Sequence, residues 1–244
     1  MNFNKILDSL ALKFRDSKLA RILFKYPYHK LLDARKERRR KKFLKYGPDV
    51  LRSFHECMEN NKIKYTLAFG TLLGAIRECN FISHDLDIDV AIWHDDYTPQ
   101  IKNELEKSGF RLLYRYAVSD GKIGLEETYI YRGVTIDIFY FYQEPNKLPY
   151  CCDFIQFPET LSIDDCLIKY GGLKPRKIYL PLSKERRLAS FLDMQLYVPD
   201  NYSEILEFRY GVNYMIPNKK WSPVDDNPYI VEMNDMVAMF YKGE

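Results

Sequence analysis

Aspartates occupy alternate positions in the stretch Asp85-Leu86-Asp87-Ile88-Asp89, which continues into Val90-Ala91-Ile92-Trp93. A helix would scatter these acids around its axis. A strand, with its side-chain period of two, puts Asp85, Asp87 and Asp89 on one face and Leu86, Ile88, Val90 and Ile92 on the other. Carboxylates two residues apart on a strand converge to within a few ångströms and repel, unless a divalent cation stands between them. A third acid, Asp137, is embedded in the apolar run VTIDIFYF. If that run pairs beside the first strand, Asp137 completes a nest of three carboxylates. The alternative is that Asp87 and Asp89 line a solvated edge.

The surrounding chain supplies the rest of a sheet. YTLAFGTLLGAIR starts as a short apolar strand, turns at Gly70-Thr71 and continues as a helix carrying Leu72, Leu73 and Ile76. Glycine at such a turn frees backbone N–H groups at a helix N-terminus, where phosphate binds. Neither GxxxxGK[ST] nor GxGxxG occurs, which excludes the P-loop and Rossmann readings. Upstream, Asp49 reads as the N-cap of a helix turning Val50, Leu51, Phe54, Met58 and Ile63 toward a core. TPQIKNELEKSGF reads as a helix that stops at Gly109, and RLLYRYAVS, EETYIYRG and VTIDIFYFY read as strands, the last two joined by a turn at Arg132-Gly133. The predicted class is α+β, close to α/β, with a mixed sheet. From Pro145 onward nine of the 12 prolines accumulate, which predicts an irregular extension wrapping the sheet, with a helix near NYSEILEFRYG.

Charge divides the chain unevenly. Residues 1–45 hold 15 Lys and Arg against four acids, a net of +11, although the whole chain is only +3. Phe3, Ile6, Leu7, Leu10 and Phe14 recur at helical spacing among these basic residues, with Pro27 expected to interrupt the segment. Three regions follow: a basic amphipathic arm (1–47), a catalytic core (48–145) and an extension packed on it (146–244). The arm suits an anionic membrane surface; packing on the body or on a second subunit is the alternative. An acidic body without a nucleic-acid motif makes nucleic acid the weaker partner. Five cysteines without a CxxC pair fit free thiols better than disulfides, and zinc held by Cys151, Cys152 and Cys166 lacks an obvious fourth ligand. No apolar run reaches spanning length and the N-terminus lacks a signal-peptide pattern, so the expected place is the cytoplasm, with the inner face of the membrane open to the arm.

FGTLLGAIRECNFISHDLDIDVAI resembles the signature of the LicD and fukutin-related family within the nucleotidyltransferase-fold superfamily: Gly70, Thr71, Leu72, Leu73, Gly74, Arg77, Phe81, Ile82, Asp85, Asp87 and Asp89 all fit its pattern. VTIDIFYFY resembles the family's later strand with a third carboxylate, and PDNYSEILEFRYGVNYMIP its C-terminal Tyr-Gly region. Leu86 stands where members often carry an acid, and His84 where an aromatic is common. The resemblance implies a nucleotidyltransferase-like fold. It also implies transfer of a phospho-substituent (phosphocholine-like, polyol phosphate or phosphonate) from a CDP-linked donor to a glycan hydroxyl in surface polysaccharide synthesis, with CMP released. In that scheme Asp87, Asp89 and Asp137 bind two Mg²⁺ or Mn²⁺ ions, with Asp137 alternatively the base for the acceptor. Gly70, Thr71, Arg77 and Asp85 contact substrate, and the glycan acceptor could be lipid-linked. The rivals are a nucleotidyltransferase that attaches NMP from an NTP, and an inactive membrane-associated binding module.

Overall fold

The computed structural model describes residues 18–158, 160–218 and 228–243, with side chains from residue 34 onward. The apolar stripe Phe3–Phe14 lies outside the described residues. The first helix, α1, runs from Lys18 to Asn60. The expected break at Pro27 and the expected boundary at Gly47-Pro48 interrupt nothing, because the backbone stays helical through both prolines. Each proline forfeits one backbone hydrogen bond, but the flanking Lys, Arg, Leu and Glu are good helix formers. Packing holds the second half of α1 as well. Phe43, Val50, Leu51, Phe54 and Met58 are all at most 1% exposed, and each such burial stabilises by about 1.5–3 kcal/mol.

After α1 come strand β1 (Thr66–Leu67) and helix α2 (Phe69–Glu78). Then follow β2 (Asp87–Trp93), α3 (Gln100–Lys107), β3 (Arg111–Val118), β4 (Gly124–Tyr131) and β5 (Val134–Phe141). This is the order read from the sequence. The strand begins at Asp87, two residues later than the alternation suggests, because Asp85 closes a turn through its N–H to the Ile82 carbonyl at 3.0 Å. Beyond residue 145 lie β6 (Tyr150–Ile155), α4 (Ile163–Tyr170), β7 (Gly172–Tyr179), β8 (Arg186–Phe191), β9 (Met194–Pro199), α5 (Tyr202–Tyr210), β10 (Ile230–Glu232) and β11 (Ala238–Lys242).

The main sheet has nine strands in the order β1-β2-β5-β4-β3-β11-β7-β10, with β6 also paired to β7; β8 and β9 form a separate hairpin. Among the described strands only β2 and β5 run parallel, between antiparallel neighbours. Four strands from beyond residue 145 therefore extend the same sheet. β11 inserts between β3 and β7 and pairs with both, closing what would otherwise be two open edges. The inner face of the parallel pair carries Ile88, Val90, Ile92, Ile136, Ile138 and Tyr140, all buried, and α1 packs on β2 and β5. The other face of the same strands carries the aspartates.

Helix α2 must end abruptly to let the chain return into β2. Cys79 takes a left-handed conformation (φ 50°) and its N–H caps the Gly74 carbonyl. The turn presses the Asn80 carbonyl onto the helix, and a Cβ at Gly74 would lie 2.4 Å from that oxygen. Helix propensity alone would make Gly74→Ala stabilising by about 1 kcal/mol. We expect the reverse, a loss of roughly 1–3 kcal/mol from forced backbone displacement, read as a lower urea midpoint at unchanged m-value; a higher midpoint would contradict this packing.

Candidate active site

The parallel pairing of β2 and β5 sets Asp89 directly opposite Asp137, and Asp87 opposite Thr135. The row continues across the sheet: Asp137 faces Thr128 on β4, and Thr128 faces Tyr114 on β3. Thr128 is 1% exposed and donates its hydroxyl to Asp137 Oδ1 at 2.5 Å. Burial raises the Tyr114 phenol, and the neighbouring Thr128 opposes that shift.

The backbone of Asp89 is fixed by the start of α2. Its N–H donates to Thr71 Oγ1 at 2.9 Å, and its carbonyl accepts from the Ala68 N–H at 3.0 Å. Thr71 is 1% exposed, so its hydroxyl serves to hold β2 against α2. The Gly70 backbone lies beside the Asp89 carboxylate and opposes part of its upward shift. Gly70 also has a steric reason to be glycine: a Cβ there would lie 2.9 Å from Asp85 Oδ2 and 3.6 Å from Asp89 Oδ2. The preceding Phe69, at φ 42°, makes the sharp strand-to-helix turn that aims α2's N-terminus at the acids. Arg77 is engaged by Glu78 at 2.6 Å, and its charge extends to Asp85.

Electrostatically this is a strained cluster. Burial pushes Asp85 up to about 6, and the neighbouring Asp87 adds to the shift. Burial likewise pushes Asp137 up to about 6, with Asp87 adding and the Thr128 hydrogen bond and Arg39 opposing. Asp87 is raised by burial against the pull of Arg39. Asp89 is raised furthest in character: burial comes first, and then Asp87, Asp137 and Asp85 all act on it. Glu126, two residues before Thr128 on the same face, is raised well above its ordinary value by burial and by Asp137, Asp153 and Asp89. By contrast Glu127 faces the opposite core, where the Tyr129 and Tyr140 hydroxyls donate to it at 3.0 and 2.9 Å.

Among the described residues no three acidic, His or Cys side chains stand close enough to enclose an ion as they are arranged. The donor set still fits a hard divalent cation, because it is all oxygen and its Gly70 wall leaves space beside Asp85 and Asp89. Mg²⁺ commonly takes only one or two carboxylates, with phosphate oxygens and water completing its shell. The five cysteines are free thiols, and Cys151 and Cys152 are buried in β6.

Residue-by-residue reading of the sequence missed several neighbours. Thr128 was within reach of it: a two-residue turn at Arg132-Gly133 pairs residue 131 with 134, and hence 128 with 137. Arg209 and Tyr210, at the end of α5, come to the start of α2. The Arg209 guanidinium lies 4.5 Å from the Phe69 ring centroid, and Tyr210 feels the charges of Asp89 and Asp85.

The sign of the pH dependence follows from the raised acids. Between their unfolded values near 4 and their folded values, the folded chain holds more protons than the unfolded one, so these groups favour folding at acid pH and lose that contribution as pH rises through about 6. Without divalent cation at pH 8, Asp89→Asn should therefore raise the melting temperature, at ~2–4 °C for each kcal/mol of repulsion relieved. The variant should also gain less than the wild type on acidification to pH 6. A lower melting temperature at pH 8 would show that the carboxylates do not repel.

Sequence comparison gives a family match over this region. A family model described as LicD/FKTN/FKRP, nucleotidyltransferase domain, matches residues 62–201, from just before β1 to just before α5. The mouse protein named ribitol-5-phosphate transferase FKTN is 25% identical over 186 residues, which is 73% of this chain and 35% of the mouse protein. An uncharacterized protein of Rickettsia prowazekii is 25% identical over 210 residues, 78% of this chain and 75% of its own length. The Haemophilus influenzae lipopolysaccharide cholinephosphotransferase LicD is 49% identical over a shorter stretch of 49 residues, 20% of this chain and 18% of that protein. The chain thus spans about a third of the fukutin relatives it matches. Its matched segment covers more than half of its residues and contains Gly70, the three strand aspartates and Thr128, and the chain belongs to the LicD/FKTN/FKRP family of nucleotidyltransferase-domain proteins.

Proposed function

We propose that the chain is a divalent-metal-dependent phosphotransferase. It moves a phospho-substituent from a CDP-linked donor to a hydroxyl of a glycan acceptor. The observation that carries this reading is the direct register of Asp89 with Asp137 on adjacent parallel strands, under the N-terminus of α2. The names of the fukutin and LicD relatives, a ribitol-phosphate and a cholinephosphate transferase, supply the reaction class.

Asp87 and Asp89 would hold Mg²⁺ or Mn²⁺, which when bound supplies neutralising charge for the donor's phosphates. Asp137 is either a further ligand or the group that takes the acceptor's proton. The acceptor oxygen forms a bond to the transferred phosphorus, and the bond from that phosphorus to the oxygen of CMP breaks. Thr128 fixes the Asp137 carboxylate so that its second oxygen remains available to one of these tasks. The backbone N–H groups at the start of α2 favour anionic oxygens. Catalysis of this kind is mostly positioning and charge neutralisation, which suits a site made of fixed carboxylates on a rigid sheet.

The basic cluster on α1 supports contact with an anionic membrane carrying a lipid-linked acceptor. Arg35, Lys36, Arg38 and Lys41 are exposed, and no described helix is long and apolar enough to cross a membrane. The chain should pellet with phosphatidylserine-containing vesicles at low salt and detach as salt rises. Replacing those four by Gln should leave it in solution, since each basic residue near the surface contributes about 1 kcal/mol. Equal pelleting of the quadruple variant would remove the membrane from the account.

The donor is tested by thermal shift and turnover. CDP with Mg²⁺ should raise the melting temperature more than purine triphosphates do, through ligand linkage. Asp87→Asn and Asp89→Asn should each lower turnover with a CDP-linked donor by roughly 10²-fold or more while remaining folded. Stabilisation by NTPs alone, with pyrophosphate released, would instead identify a nucleotidyltransferase.

A further inference from the structure

The family match begins at residue 62, so the basic stretch of α1 lies wholly outside it. That stretch is nonetheless built onto the site. The Phe43 ring meets Phe81, in the segment between α2 and β2, edge-on with centroids 4.7 Å apart. Gly47 lets the α1 backbone approach the same ring, since a Cβ there would lie 3.3 Å from it. On the other side, Asp49 pairs with Arg132 at 2.7 Å in the β4–β5 turn. The Lys42 ammonium lies against Gly133, 3.1 Å from where a Cβ would stand. These contacts hold α1 beside the end of the sheet where Asp87 opens β2 and Thr135 stands opposite it.

Arg39 is three and four residues before Lys42 and Phe43, hence on the same side of the helix and one turn further out. Its guanidinium is exposed, and among the described residues it forms no ion pair within 4 Å. Its charge nevertheless acts on both Asp87 and Asp137. The neighbouring Arg40 is turned elsewhere, held by Glu37 at 2.9 Å. The turn of α1 just outside the Lys42 and Phe43 contacts thus brings an exposed, unpaired arginine to the end of the sheet where Asp87 opens β2, a cation beside a cluster of acids. A metal-bound diphosphate matches that arrangement: the acids take the metal, and the planar fork takes two phosphate oxygens.

We propose that Arg39 is a phosphate-binding residue of the active site, delivered by α1 from outside the nucleotidyltransferase domain, and that it clamps the diphosphate of the nucleotide donor above Asp87 and Asp137. This rests on the phosphotransferase reading above for the identity of the donor, but not for the phosphate contact itself. A helix so placed also couples the basic surface to catalysis, because the helix that meets anionic lipid is the one that carries the clamp.

The test is calorimetric titration of the full chain with CDP and, separately, with inorganic pyrophosphate, both with Mg²⁺. The variants are Arg39→Ala, Arg39→Lys and the same-helix control Lys45→Ala. Arg39→Ala should weaken both ligands about tenfold or more, as loss of a charge-assisted bidentate contact does. Arg39→Lys should fall between, and Lys45→Ala should change binding less than about twofold. With a CDP-linked donor, the KM of Arg39→Ala should rise by a larger factor than kcat falls. Wild-type affinity in Arg39→Ala overturns the proposal and leaves the donor reading intact, and so does an equal loss in Lys45→Ala, which would mark a bulk charge effect. Pyrophosphate binding that depends on Arg39, with no CDP binding, upholds the clamp and removes the cytidine donor. A wild-type chain that binds neither ligand overturns both.

Discussion

Two carboxylates forced side by side are the constraint around which this chain is arranged. Asp89 and Asp137 sit at the same level of adjacent parallel strands, and Asp87 is one pleat away. Buried like charges cost stability unless they are neutralised or hydrogen-bonded. The neighbouring structure meets part of that cost: the Gly70 backbone and the dipole of α2 beside Asp89, the Thr128 hydroxyl on Asp137, and the charge of Arg39 acting on Asp87 and Asp137. The remainder is left as an unfilled demand for positive charge. A divalent cation, as the proposed function requires, is the group that such a cluster of oxygens suits.

The same constraint accounts for the residues around it. Thr71 holds β2 to α2 through the Asp89 N–H, so the helix that serves the carboxylate also fixes its position. Gly70 and Gly74 are glycine for separate steric reasons, one facing Asp85 and the other the Asn80 carbonyl. The sheet is rigid where the acids stand because its opposite face is fully packed by α1 and by Ile88, Val90, Ile136 and Ile138. Precision at the polar face therefore derives from close packing at the apolar one.

Much of this was legible in the sequence because it is local. Period two put Asp87 and Asp89 on one face, and the apolar run around Asp137 marked a second strand. The turn at Arg132-Gly133 emerged where it was read, with Arg132 and Gly133 both at positive φ. What was not legible depends on distant contacts. Pro27 and Pro48 read as helix breaks, yet Phe43 and the residues after it hold α1 through Pro48. The proline-rich end read as a wrapping extension, yet β11 inserts into the middle of the sheet, a pairing between residues more than a hundred apart. Thr71 read as a phosphate ligand, and only the position of Asp89 reveals its structural hydrogen bond. Arg39 read as one charge among many, because nothing local distinguishes it from Arg38 or Arg40.

Where a divalent cation binds decides the role of these carboxylates. Crystals of the full chain grown with CDP and Mn²⁺, measured at the manganese absorption edge, would locate it directly by anomalous scattering. We expect a peak between Asp87 and Asp89, within about 2.3 Å of their carboxylate oxygens and shared with phosphate oxygens of the nucleotide. Manganese bound elsewhere, with Asp89 and Asp137 facing each other undisturbed, would contradict the central claim.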